Sequence, residues 1–231
     1  MVLEEEQRYP NSIIDAKRII RTIEPMRPQS GPKTFLDIGC GYGFFSREAK
    51  RAGYDVTALE LSSHERQVAA ELAGIEPKAM SFEHFSSKPK YFSVILMSQI
   101  LEHVNDVNLF ISKANDLLID GGVLIVALPN FQSIFRKILQ ENDPYICPPN
   151  HLNFFDCRNL TTLLKKHHFT VEIKQHVSRI PAQSFEKRLS SLGKPGISAI
   201  HRTSPILLRL FDILHRGMMV NIYAKKQIAQ H

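Results

Sequence analysis

The chain has 231 residues, 43% hydrophobic and 23% charged, with a formal net charge of +6. That length suits one α/β domain with a substantial core, and the composition is that of an ordinary globular protein rather than a disordered or fibrous one. No run of basic residues marks a nucleic-acid tail, no apolar stretch reaches the roughly eighteen residues of a bilayer span, and three cysteines without a C-x-x-C pair argue against a disulfide framework or a structural zinc site.

The elements follow in chain order. Residues 1–6 are acidic and lack the apolar core of a secretory leader, so the expected compartment is the cytoplasm. Residues 9–23 carry Ile13, Ile14, Ile19, Ile20 and Ile23 at mostly helical spacing, and Pro25, Pro28, Gly31 and Pro32 then break the chain into a connector. Residues 34–38 are a short apolar strand running into a glycine turn, and 44–52 are the helix leaving it. A second strand, 55–59, precedes a helix to Ala73 that Ser62 and Glu65 are spaced to start as a capping box. Residues 78–81 are read as a third strand. Residues 92–97, apolar apart from Ser93, are the fourth, as expected of a strand covered on both faces. A helix over 108–118 and a turn at Gly121-Gly122 lead into the fifth strand, 123–128, which Pro129 ends.

Beyond Pro129 the expected elements are a helix at 131–139, a Pro-rich loop at 143–149, a helix at 159–167 and a strand at 170–176. An irregular stretch at 181–202, an apolar helix at 205–215 and a last strand at 217–224 complete the chain. Strands alternating with helices predict an α/β fold around a doubly wound, mostly parallel sheet. The whole is read as one domain: 1–32 a helix and connector, 33–130 a cofactor-binding core, and 131–231 acceptor-side elements and final strands.

The turn Gly39-Cys40-Gly41-Tyr42-Gly43, between strand and helix, lets backbone approach a ligand and offers free N–H donors at the helix start. The dinucleotide fingerprint G-x-G-x-x-G requires its third glycine one residue later, where Phe44 stands, and no phosphate-loop lysine follows. Glu60, about twenty residues on at the end of the second strand, is placed to accept hydrogen bonds from ribose hydroxyls. Turn and acid together point to an adenosine-type ligand. They leave a nicotinamide dinucleotide and S-adenosylmethionine both open.

Over residues 30–175 the sequence resembles a known family. Phe35-Leu36-Asp37-Ile38-Gly39-Cys40-Gly41-Tyr42-Gly43 looks like the first motif of class I S-adenosylmethionine-dependent methyltransferases. Ala58-Leu59-Glu60-Leu61-Ser62, Ser98-Gln99-Ile100-Leu101-Glu102-His103-Val104, Leu117-Leu118-Ile119-Asp120-Gly121-Gly122-Val123-Leu124-Ile125 and Leu128-Pro129-Asn130 continue it. Pro149-Asn150-His151-Leu152-Asn153-Phe154-Phe155 is similar to the branch containing ubiquinone-biosynthesis-type O-methyltransferases. The resemblance implies a Rossmann-like, seven-stranded sheet with an antiparallel last strand, and methyl transfer to a small-molecule or lipid-like acceptor, at oxygen.

The resemblance also assigns roles. Asp37 and the backbone of Gly39, Cys40, Gly41 and Gly43 would hold the amino-acid end of S-adenosylmethionine, Glu60 its ribose, and Leu61 the flank of its adenine. Ser81 and Phe82 lie in the loop that meets the adenine amino group, and Ser98 and Gln99 would lie beneath the methionine portion. A hydroxyl acceptor needs a proton acceptor, for which His151, His103 and Glu102 are the candidates. No second carboxylate accompanies Glu102, so no metal is expected. A nicotinamide-dependent oxidoreductase and a catalytically silent methyltransferase-like binding protein are the alternatives. The basic, apolar helix near 205–215 has the makings of a membrane-surface helix. Its shortness and the strand directly after it favour core packing or a homodimer contact, so monomer and homodimer both stand.

Overall fold

The computed structural model describes residues 2–140, 143, 145, 149–178 and 206–228. The irregular stretch expected at 181–202 therefore lies outside the described residues, as does most of the Pro-rich loop.

Four strands, β1 (Thr34–Ile38), β2 (Asp55–Leu59), β3 (Phe92–Ser98) and β4 (Leu118–Pro129), run parallel in the order β2-β1-β3-β4. A hairpin-like pair closes the other side. β6 (Met219–Lys226) lies antiparallel against β4, and β5 (Phe169–Val177) lies antiparallel against β6 at the edge. Among the described residues the sheet has six strands, not the seven expected. The missing one is the segment at 78–81, where only Lys78 pairs, in a single bridge to Leu59. Its next residues turn away, with Met80 N–H bonded to the Lys78 carbonyl and Phe85 N–H to the Ser81 carbonyl. Gly121-Gly122 also departs from expectation. It sits inside β4 as a bulge, since Phe92 pairs with Leu118 and Val94 already with Val123.

Alternation along the strands sorts the core into two layers. Phe35, Val94, Leu96, Val123, Ile125 and Tyr223 face Ile19, Ile20 and Ile23 of α2 (Pro10–Ile23) and Ala49 of α3 (Phe44–Arg51). Leu36, Ile95, Met97, Leu124, Val126 and Ile222 face Phe110, Ile111 and Ala114 of α5 (Val107–Leu117) and Leu160 and Leu164 of α7 (Cys157–Lys166). Ser93, the one polar residue within the apolar run, is fully buried and partnered. Its hydroxyl donates to the Thr34 carbonyl at 2.7 Å, and its N–H donates to Thr34 Oγ1 at 3.0 Å. Those bonds satisfy buried polar groups and tie the starts of β1 and β3 together.

α4 (Ser63–Ala73) starts on Ser62, whose Oγ accepts from the Glu65 N–H at 3.3 Å. The reciprocal half of the expected box does not form. Ser62 N–H donates instead to Glu60 Oε1 at 2.9 Å, which leaves the Glu65 carboxylate free to face the glycine turn. The acidic N-terminus, read from sequence only as lacking a leader, forms α1 (Val2–Arg8). It is held over α3 by an ion pair between Glu6 and the buried Arg47. α6 (Ile134–Leu139) and the helix α8 (206–213) follow the expected positions within a few residues. Core packing or a homodimer contact was expected for the latter; of its apolar residues Phe211 packs on Phe135, while Ile206, Leu207, Leu210, Ile213 and Leu214 are exposed rather than in the core. No described helix is long and apolar enough to cross a membrane.

Candidate functional site

A cavity of about 730 Å³ opens at the carboxyl ends of β1, β2 and β3. This is the place where an open parallel sheet binds ligands, because the crossovers diverge there and leave a crevice. One wall is the glycine turn, another is Glu60 with Leu61, a third is Met80 to Glu83, and the floor is Ser98 to Ile100 with His103 and Val104.

The turn's glycines serve different ends. Gly41 has φ +52, and a Cβ built on it meets nothing nearer than Glu65 Oε2 at 4.0 Å, so its backbone fronts open space. Gly43, φ +79, would place a Cβ 2.9 Å from Ala69 Cβ and 3.1 Å from Ala69 Cα. Gly43 therefore lets α4 pack against the turn, and it is not on the cavity wall. Cys40 does line the cavity. Its thiol is buried, and burial together with the charges of Asp37 and Glu60 pushes its pKa far up, so it stays a neutral packing group.

Glu60 is held by backbone on both oxygens. Oε2 accepts from Gly41 N–H at 2.9 Å and Oε1 from Ser62 N–H at 2.9 Å. An ionised carboxylate has about four acceptor directions, so two remain for a ligand's hydroxyls. Asp37 lies deeper, 1% exposed and off the cavity wall, accepting from Ser46 Oγ at 2.6 Å. Burial raises its pKa to about 6, with the Ser46 hydrogen bonds opposing. In this structure it braces the start of α3 beneath the turn, and any hold on a ligand from it acts through that brace.

The far end of the floor is the Leu101 to Val104 turn after β3. Gln99 begins it in the left-handed region, φ +59, with its N–H on the Ala127 carbonyl at 2.8 Å. A non-glycine residue held there stores strain of about 1–3 kcal/mol and is characteristic of binding sites. The loop carrying His151 is locked onto this turn. Asn153 Nδ2 donates to the Leu101 and Val104 carbonyls at 3.0 and 2.7 Å, and the Leu152 and Asn153 N–H groups both donate to the Glu102 carbonyl. The result brings Glu102, His103 and His151 together, with one donor atom of each within 4.8 Å of the others. The two imidazoles meet edge to face at 4.7 Å between centroids.

His103 alone of the three lines the cavity. Its Nδ1–H donates to the Asn150 carbonyl at 2.8 Å. A carbonyl only accepts, so in the neutral ring the proton sits on Nδ1, and Nε2 is the free base. His151 packs behind it, and burial together with the His103 ring lowers its pKa. Glu102 is 2% exposed with neither carboxylate oxygen bonded, and burial raises its pKa to about 7.

Sequence reasoning grouped Gly39, Cys40, Gly41, Glu60, Leu61, Ser81, Phe82, Ser98, Gln99 and His103, which all line this one cavity; it grouped Asp37, Gly43, Glu102 and His151 with them, and these lie off its lining. Tyr9, Ser12, Tyr42 and Glu65 went unnoticed. Tyr9 reaches the wall because α1 and α2 cross the glycine turn, where its ring meets that of Tyr42 at 5.4 Å. No local pattern encodes that contact. Glu65 was legible as a helix-start residue and was assigned to capping.

Comparison with known proteins bears on this geometry. Residues 11–174 match the model of a family described as a methyltransferase domain. A ubiquinone biosynthesis O-methyltransferase of Mesorhizobium japonicum is 32% identical over 120 residues, 50% of this chain and 48% of that protein. The chain thus spans about half the length of the curated relatives it matches. Among solved structures, a SAM-dependent methyltransferase from Archaeoglobus fulgidus superposes with a TM-score of 0.65 at 20% identity, covering 97% of this chain and 99% of that one. The 1,6-didemethyltoxoflavin-N1-methyltransferase of Burkholderia thailandensis, solved with its substrate and S-adenosylhomocysteine, gives 0.61 at 17%, covering 94% and 79%.

Proposed function

The chain belongs to the methyltransferase-domain family and has the fold of S-adenosylmethionine-dependent methyltransferases, and from that premise we propose that it transfers a methyl group from S-adenosylmethionine to a small-molecule acceptor, at oxygen. The observation that carries this reading is the charge of the cavity. In a protein of net charge +6, its described lining includes Glu60, Glu65 and Glu83 and no lysine or arginine. Such a wall attracts a sulfonium and an ammonium, and it repels the pyrophosphate of a nicotinamide dinucleotide.

The residues present fit the cofactor. The open space before Gly41 admits it, and Glu60 keeps two acceptor directions for its ribose. Ser81 and Phe82, on one wall, would border the adenine, and Ser98 and Gln99, on the floor, would lie under the methionine portion. When bound, S-adenosylmethionine supplies a methyl group on a sulfonium, already a good leaving group. The protein's share is chiefly alignment of acceptor and methyl group, an effect able to supply several kcal/mol, roughly 7–11 at its best.

The proton is the other part of the work. His103 lines the cavity, and its Nε2, left as the basic nitrogen by the Nδ1–H bond to Asn150, would take the acceptor's hydroxyl proton. His151 packs edge to face against that ring, and Glu102 stands beside the pair without a hydrogen bond to either. The name of the ubiquinone-biosynthesis relatives supports oxygen as the methylated atom.

Titration calorimetry with S-adenosylhomocysteine and with NADH tests the cofactor assignment, and tighter binding of NADH overturns it. Methyl transfer is then followed across phenols, sugars, lipids and amines. His103→Gln is expected to slow transfer to a hydroxyl by about 10²–10⁴-fold while cofactor affinity holds. Strong cofactor binding with no transfer to any acceptor would favour a methyltransferase-like binding protein.

A further inference from the structure

We propose that Lys113, which lies outside every motif of the site, is the positioning residue that sets the cavity's selectivity for the base of its nucleoside ligand, an inference that rests on the S-adenosylmethionine reading. After Lys78 the chain leaves the sheet and winds into one helical turn. The N–H groups of His84 and Phe85 both donate to the Ser81 carbonyl, at 3.2 and 3.1 Å. A single turn is not self-supporting in water, because it fixes several dihedral angles for very few bonds. Its last carbonyls also need donors from elsewhere. Lys113 of α5 supplies them. Its Nζ donates to the Phe82 carbonyl at 2.8 Å and to the Glu83 carbonyl at 2.9 Å, and it stands 5.1 Å from the centroid of the Phe82 ring.

The connection reaches the ligand. Met80, Ser81, Phe82 and Glu83 form one wall of the cavity, and Lys113 is not part of its lining. Phe110, one helical turn before Lys113 and so on the same face of α5, meets the Phe82 ring at 5.2 Å. Ring and carbonyls are thus both fixed to one helix, whose Phe110, Ile111 and Ala114 are seated in the core. A lysine on a helix surface ordinarily keeps its ammonium in water. Turned instead to two carbonyls 31 and 30 positions earlier in the chain, the ammonium orients the wall from behind. The lining itself keeps no lysine or arginine that would repel a sulfonium.

What that wall presents decides the base. Glu83 lines the cavity, and an ionised carboxylate accepts hydrogen bonds but donates none. Adenine carries an amino group at its 6-position, and hypoxanthine carries a carbonyl oxygen there. An acceptor held at that edge pairs with the first base and leaves the second unpaired, which is the circumstance in which a polar site discriminates most strongly. Such discrimination requires the acceptor to be held in place, because a carboxylate on a loose loop swings to water and reads neither base. Lys113 grips the main chain of Glu83 itself, so the carboxylate is offered from a fixed Cα.

Calorimetry on the full chain with S-adenosylhomocysteine and with S-inosylhomocysteine, its analogue carrying hypoxanthine, provides the test. Wild type is expected to prefer the adenine ligand by about 100-fold. Lys113→Met keeps the aliphatic stem and removes the donors. The preference should then fall to about fivefold, through weaker binding of S-adenosylhomocysteine, while S-inosylhomocysteine affinity holds. Lys113→Gln, a milder change, should leave a preference of about 20-fold, and it carries the test if the methionine variant does not fold. A ratio measured on one protein is insensitive to a general loss of stability, so a merely structural lysine would leave it unmoved. Equal weakening of both ligands, or an unchanged ratio in either folded variant, overturns the proposal, and so does a wild type with no preference for adenine. A wild type that binds neither ligand defeats the cofactor assignment and this proposal with it, so the two failures are read separately.

Discussion

Glu60→Gln isolates the ribose contact from the shape of the site. In the wild type, the two backbone N–H groups of Gly41 and Ser62 occupy one direction on each carboxylate oxygen, leaving one on each for a ribose hydroxyl. The amide keeps one acceptor oxygen and replaces the other with an NH₂. That NH₂ faces an N–H donor on one side and cannot accept from the ribose on the other. One charge-assisted hydrogen bond is lost outright and the second loses its charge. At about 1.5–3 kcal/mol for a bond to a charged group and about 0.5–1.5 for a neutral one, the loss comes to roughly 2–4 kcal/mol. With 1.4 kcal/mol per tenfold, S-adenosylhomocysteine should bind about 30- to 700-fold more weakly. Calorimetry measures the affinity, and a thermal melt without ligand checks that the turn has not collapsed. A dissociation constant within about threefold of wild type, in a variant that melts normally, refutes the ribose assignment and the geometry behind it.

Other perturbations reach other links of the argument. Gly41→Arg places a side chain in the open space before the turn at a strain cost of about 1–2 kcal/mol; calorimetry should find cofactor binding abolished while far-UV circular dichroism stays native, and retained affinity would move the ligand elsewhere. Gly43→Ala drives a Cβ into Ala69 at 2.9 Å on a left-handed backbone, so denaturant unfolding should show a loss of about 2–4 kcal/mol, part of which Ala69→Gly restores. Full wild-type stability in the single variant would mean that α4 does not pack there. His176 is 7% exposed with neither ring nitrogen bonded, and burial, with His215 beside it and Asp212 opposing, lowers its pKa. The unfolded chain therefore takes that proton more readily, so the stability His176 contributes is present above about pH 6.5 and is lost as pH falls through its depressed value. His176→Leu should flatten the fall in melting temperature between about pH 7 and 5; an unchanged slope would assign the acid limb to other groups.

Much of the fold was legible because its signals are local. The apolar runs 34–38, 92–97 and 123–128 became strands buried on both faces, and 55–59 became the edge strand, buried only at Ala58 and Leu59, since period and composition report what covers a segment. The segment at 78–81 misled for a physical reason. Its chemistry suits a strand, but after Lys78 its backbone partners come from its own loop, and an edge with one bridge is not a strand. Ser62 and Glu65 misled in a similar way. Their spacing suits a capping box, but Ser62 N–H is claimed by Glu60, two residues upstream, whose other carboxylate oxygen is bonded to the Gly41 N–H.

The order of motifs around the glycine turn and Glu60 was enough to specify an adenosine-binding crevice and the family that uses it, because strand, turn and helix follow one another along the chain. What the tertiary structure alone decided is which of the named side chains face that crevice. His103 does, while Glu102 and His151 stand behind it. The carboxylate-lined wall and the outward apolar face of α8 also belong to the folded state. Each depends on contacts between residues tens of positions apart, such as Asn153 on Leu101 or Asp212 on Ser178. The burial and pKa values of these groups are set by neighbours that the order of the chain does not name.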